Sequence, residues 1–172
     1  PIVNISGNIS LSGGKLNAPS GNITISGNFV QTGGTFAHNS GTVIFNGNSS
    51  SNQILTNNGL SFYNLTMNNA QATYDTLIVS GNLDVNGALT ITDGTLNLST
   101  NNPNINTAGN VTIQAAGSIS TGTGTWTFDG SGTSVLTDYT TSGLNYRAVT
   151  VNGATKILQL ASGANTPTFI FT

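Results

Sequence analysis

Few side chains in this chain of 172 residues can do acid–base or metal chemistry. His38 is the one histidine, and the acids are Asp75, Asp84, Asp93, Asp129 and Asp138, with no glutamate. The basic side chains are Lys15, Arg147 and Lys156, and cysteine is absent. A single imidazole excludes the multi-histidine zinc sites, and in the turn-like "AHNSG" His38 reads as an exposed loop residue. Glycoside cleavage needs two carboxyls close together across the scissile bond. Asp84 and Asp93 are about half a repeat apart and Asp129 lies far along the chain, so turn-forming aspartate is the simpler reading. "DVNG" from Asp84 and "DGSG" from Asp129 hint at calcium, but glycine and aspartate do not recur in the strict order of the calcium-binding nonapeptide. No catalytic, cofactor-binding or metal-ligating residue is expected, no cofactor is implied, and the chain reads as a non-enzyme.

The elements that carry these residues follow from composition. Charged residues make up 5% of the chain, against about 25% in ordinary domains. The polar surface must then be Asn, Ser, Thr and Gly, which are poor helix formers. Ile, Val, Leu and Phe stand singly between Thr and Ser, the pattern of half-buried strands. The chain is therefore all-β. A net charge of −2 spread this thinly offers nothing to nucleic acid, and it does little to keep molecules apart. No apolar run is long enough to span a bilayer as a helix, so membrane insertion is not expected.

The strands repeat. "VNISGN" from Val3, "ITISGN" from Ile23 and "VIFNGN" from Val43 are spaced by about 20 residues. "ISLSGGKL" from Ile9 likewise lines up with "FVQTGGTF" from Phe29. A longer period of about 83 residues sets "GTVIFNG" at 41–47 beside "GTWTFDG" at 124–130, and "GLSFYNLTMNN" from Gly59 beside "GLNYRAVTVNG" from Gly143. A unit this short cannot bury its own apolar face, but stacked units bury a continuous core. The expected fold is a parallel β-helix (β-solenoid) of about eight coils, with a β-sandwich as the alternative. It forms a single domain, 1–172, of two similar blocks, about 1–82 and 83–172. Phe45, Phe62, Phe128 and Tyr146 are expected inside, with Trp126 aligned to an interior position. The stretches 48–59 and 101–106 break the pattern and read as loops. Thr-X-Thr pairs occur, but not at the coil period, which argues against a regular threonine face.

"SGNLDVNGALTITDGTLNLS" from Ser80 and "GTVIFNGNSSSNQILTNNGLSFYNLTMNN" from Gly41 resemble the repeats of large bacterial and archaeal adhesin-like surface proteins. The resemblance covers nearly the whole chain and implies an exported structural or adhesive protein at the cell surface. It carries over no catalytic residue. Asn-X-Ser/Thr sequons fall at Asn4, Asn8, Asn22, Asn48, Asn64, Asn97 and Asn110; Asn48, Asn64 and Asn22 are the candidate glycosylation sites, and surface glycans are candidate partners. "TPTFIFT" from Thr166 is the most apolar β-prone segment, which makes Thr168, Phe169, Ile170 and Phe171 the expected subunit contact. No polar cap is visible at either end, and a solenoid exposes core there unless capped. The expected role is a rod-like subunit or segment of an extracellular filament, stalk or matrix that forms a homo-oligomer end to end. A carbohydrate-binding or carbohydrate-cleaving β-helix is the alternative.

Overall fold

The computed structural model describes residues 1–47, 50–141 and 143–162. Its first coil holds β1 (Ile2–Ile5), β2 (Ile9–Leu11) and β3 (Lys15–Asn17), one strand on each of three faces. The second repeats this with β4 (Asn22–Ile25), β5 (Phe29–Gln31) and β6 (Thr35–Ala37). The third holds β7 (Thr42–Phe45), β8 (Gln53–Thr56) and β9 (Ser61–Phe62), and the fourth β10 (Asn64–Asn68), β11 (Thr76–Ser80) and β12 (Leu83–Val85). In the fifth, β13 (Leu89–Asn97) bends through a bulge to serve two faces before β14 (Ile105–Thr107). The sixth repeats that plan with β15 (Val111–Ser120) and β16 (Trp126–Phe128). The seventh runs from β17 (Gly132–Asp138) to β18 (Val149–Val151), and β19 (Lys156–Ser162) lies on β17.

Every pairing is parallel, and each strand lies on its counterpart one coil away. On the first face Ile2 meets Asn22, which meets Thr42, which meets Asn64. Leu65 then meets Leu89, Leu89 meets Val111, Val111 meets Leu136 and Leu136 meets Leu160. The fold is thus a β-solenoid of about seven turns, close to the eight coils expected. At a strand spacing near 4.8 Å the described rod is about 34 Å long.

Alternation along each strand sorts side chains into columns. Val3, Ile23, Val43, Leu65, Leu89, Val111, Leu136 and Leu160 form one inward column. Ile5, Ile25, Phe45, Met67, Ile91 and Ile113 form the next. On the third face Phe62, Val85, Thr107 and Phe128 stack. The expected interior aromatics Phe45, Phe62, Phe128, Tyr146 and Trp126 are all buried. Thr107 is tolerated in its apolar column because the indole N–H of Trp126 donates to its hydroxyl at 3.1 Å.

Four details depart from the sequence reading. The heptapeptides at 41–47 and 124–130 are not equivalent rungs: the first forms β7 on the first face, the second β16 on the third. Turn lengths drift from 20 to 26 residues, as Ile2–Asn22 and Phe29–Leu55 show, so an offset near 83 is not a whole number of turns. The stretch 48–59 contains β8, anchored where the buried Gln53 amide accepts from Gly47 N–H and donates to the Ile25 and Gly27 carbonyls. The stretch 101–106 likewise runs into β14.

Corner glycines serve two purposes. Gly34 and Gly81 take positive φ. Gly41 and Gly109 do not, but a Cβ on Gly41 would strike the Pro19 and Gly21 carbonyls, and one on Gly109 the Gly87 backbone. Stacked corners bring backbones too close for a side chain.

Candidate functional site

Three surfaces hold the residues that could act. The third face gathers most of the chemistry. Asp84 points outward in the column Ser61, Asp84, Asn106, Thr127, Thr150. Burial pushes its carboxyl above the usual value, repulsion from Asp129 adds to this, and His38 opposes it. Asp129 lies two residues past Thr127, which is two turns from Asp84, so the backbones carrying the two acids stand roughly 10 Å apart along the axis. His38 is half-buried in a turn, its Nδ1 accepting from Ser40 N–H at 3.0 Å, and its ring lies 5.7 Å from that of Tyr63. Among the described residues no group of three or more His, Cys, Asp or Glu side chains is arranged to hold a metal ion. A concavity of about 170 Å³ at Gln71, Ala72, Thr73 and Tyr74 is smaller than the roughly 300–1,000 Å³ of ligand pockets.

Four further ionisable groups, Asp138, Tyr146, Arg147 and Lys156, are buried. Asp138 occupies the inward position that Ile113 holds one turn earlier. Its carboxylate accepts from Thr140 N–H at 2.8 Å, from the Thr140 hydroxyl at 2.6 Å and from the Tyr146 hydroxyl at 2.8 Å. Burial, then the hydrogen bond to Asp138 and that carboxylate's charge, hold the Tyr146 phenol well above its ordinary value. Arg147 is buried and donates to the carbonyls of Gly124 at 2.8 Å and Leu98 at 3.3 Å, with Pro103 at 3.5 Å. Lys156 Nζ donates to Ala108 O at 2.6 Å. Desolvation lowers both cations' pKa values. Asp138 and Tyr146 meet beside the end of β17, whereas Arg147 and Lys156 reach back to carbonyls of earlier turns, contacts that their spacing over 138–156 hides in the sequence.

The first face is flat and carries no formal charge in its two outward columns. Thr24, Thr66, Thr90, Thr112 and Thr137 recur one per turn, with Ile44 among them. Threonine therefore does follow the coils, in a single column whose period the drifting turn lengths hide. Beside it run Asn22, Thr42, Asn64, then Ala88, Asn110 and Val135. The Asn-X-Thr sequons at 22, 64 and 110 are thus the two outward residues of one strand. Asn64 accepts from Ala88 N–H at 2.9 Å and donates to the Thr42 hydroxyl at 3.3 Å, and Asn110 accepts from Val135 N–H at 2.9 Å. Asn22 is exposed. Asn48 and the segment Thr168, Phe169, Ile170 and Phe171 lie outside the described residues.

The same device serves the corners. Asn8 accepts from Asn28 N–H, Asn28 from Ile54 N–H, Asn82 from Asn104 N–H and Asn104 from Thr125 N–H, at 2.7–3.0 Å. These asparagine amides satisfy backbone one turn away, where the strand ladder is interrupted.

The third surface is the pair of rod ends, for which the sequence reading named Thr168–Phe171 and none of the described residues. Of the inward columns, Val3 is 40% exposed at the first turn, and Leu160 is 42% and Val151 47% exposed at the last described turns. Their signal in the sequence was ladder position, readable only once the register is known.

Comparison with protein-family models, curated proteins and solved structures finds no match to this chain. By fold it is a three-faced parallel β-solenoid.

Proposed function

We propose that this chain is a non-enzymatic structural segment of an extracellular filament, stalk or matrix, a rod that associates end to end and adheres through neutral polar faces. The observation that carries the reading is a continuous stacked core beneath a first face whose two outward columns carry no formal charge. The sparse charge leaves little repulsion between copies, and the buried Arg147 and Lys156 donate to backbone carbonyls. Surface glycans are further candidate partners, and of the candidate glycosylation sites Asn22 is exposed and Asn64 half-buried. Thr168–Phe171 belongs to the same proposed contact; a chain cut before Pro167 that assembles as well as the full chain would remove it.

The test is light scattering across a concentration series with negative-stain electron microscopy. Filaments with a subunit repeat near the rod length support the reading, and a monomer at every concentration overturns it. A second reading, a carbohydrate-binding or carbohydrate-cleaving β-helix, draws on the coupling of Asp84 and Asp129. It requires Asp84→Asn or Asp129→Asn to abolish binding or hydrolysis of a polysaccharide that the unsubstituted chain binds or cleaves.

A further inference from the structure

The dipeptide Asn-Gly occurs four times, at 46–47, 58–59, 86–87 and 152–153. It is the pair most prone to spontaneous loss of the side-chain amide, because glycine places no Cβ between the asparagine Cγ and the next backbone nitrogen. The dipeptides are identical, but their surroundings are not. Gly47 is buried and its N–H donates to Gln53 Oε1 at 2.7 Å. Gly87 N–H donates to Tyr63 O at 2.7 Å. Asn58 stands at the tip of a turn clamped by Asn57, which accepts from Leu60 N–H at 2.7 Å and donates to Leu60 O at 3.2 Å. The Asn58 amide itself donates to Thr32 O at 3.4 Å. Asn152 and Gly153 differ from all of these. Both are exposed, and among the described residues neither the Asn152 side-chain amide nor the Gly153 N–H makes a hydrogen bond. Gly153 has a φ of 147°, and a Cβ there would strike Gly130 O, so the position holds a glycine behind Asn152.

We propose that Asn152 is a site of spontaneous covalent modification, at which Gly153 N attacks the Asn152 side-chain carbonyl. The N–Cγ bond forms, the Cγ–Nδ2 bond breaks, and ammonia leaves carrying the proton of the Gly153 N–H. Water then opens the cyclic imide at either carbonyl, giving aspartate or its β-linked isomer, and nothing is oxidised or reduced. The product acts through its neighbour. Phe128 pairs with Val151, so residue 152 stands on Asp129 of the preceding turn, with the two backbones about 4.8 Å apart. Like charges directly opposite one another destabilise a sheet. The cation of β19, Lys156, is turned onto Ala108 O at 2.6 Å. The β-linked isomer also lengthens the backbone between β18 and β19, where Gly153 packs on Gly130. Modification therefore loosens the last described turn.

The full chain is incubated folded at mildly alkaline pH, then denatured, digested and read by mass spectrometry. Trypsin releases 148–156, which holds Asn152 and no other Asn-Gly, and chymotrypsin separates the remaining three. The mass gain of amide to acid is expected at Asn152 about ten times faster than at Asn46 or Asn86, the factor implied by one hydrogen bond that must first break. In urea the four sites are expected to converge on one rate. Asn152 reacting no faster than Asn46 or Asn86 in the folded chain overturns the proposal. The same ranking by the same factor in urea also overturns it, since flanking sequence and not the fold would then set the rate. Asn152→Asp, standing in for the product, is expected to lower the urea midpoint at neutral pH, and Asp129→Asn in the same chain to cancel that loss. A midpoint that Asn152→Asp leaves unmoved overturns the like-charge consequence.

Discussion

Phe62 and Tyr63 are adjacent in sequence and opposite in fate, which makes them a sharp test of the fold. Phe62 is fully buried on β9, its ring 6.0 Å from Phe29 and 5.7 Å from Phe36. Tyr63 is 38% exposed and its ring touches His38. Phe62→Ala removes a core ring and leaves a cavity between stacked turns, a change that costs about 3–5 kcal/mol. Part of that is the aromatic packing itself, about 0.5–1.5 kcal/mol per pair. Tyr63→Ala is expected to change stability by about 0.5 kcal/mol or less. In urea, with a slope near 2 kcal/mol per molar, the first substitution lowers the midpoint by about 2 M and the second barely moves it. Unfolding is followed by far-UV circular dichroism and by the fluorescence of Trp126, which is buried three turns further along. Coincident transitions mean that the rod unfolds as one unit. Equal losses for the two variants, or a loss below about 1 kcal/mol for Phe62→Ala, would show that the strand faces the other way, since a one-residue slip exchanges the two sides.

Further outcomes follow from the ionisable groups. Asp84→Asn is expected to stabilise the chain at neutral pH, because the ionised carboxyl is held against burial and Asp129; the gain shrinks as pH falls through the raised pKa, where the native acid is already neutral. Urea midpoints at pH 7 and near pH 3 check this. The Tyr146 phenol, raised above 10.0, contributes stability that is complete below about pH 10 and declines as pH rises beyond it. Tyr146→Phe should flatten that alkaline decline in melts recorded between about pH 9 and 11. Arg147→Met strips the buried carbonyls of Gly124 and Leu98 of a donor and is expected to cost about 2 kcal/mol, read as a lower urea midpoint at unchanged slope.

The all-β class, the solenoid and the inward placement of Phe45, Phe62, Phe128 and Tyr146 were legible in the chain, because each depends on local alternation and on a repeat that returns near 20 residues. Composition also limited the chemistry: one histidine and five aspartates leave few ways to build an acid–base site. What stacks on what depends on the summed length of every turn before it, and those lengths drift. Only the tertiary structure could therefore place two near-identical heptapeptides on different faces, align five threonines in one column and bring Asp84 under the influence of Asp129. Asp138 and Tyr146 stand apart in the sequence and meet only when the chain folds back over the core, and Arg147 reaches the Leu98 and Gly124 carbonyls only once the turns are stacked. Val3 and Leu160 read as ordinary strand residues; their exposure at the rod ends comes from position in the stack, a long-range property that no local pattern encodes.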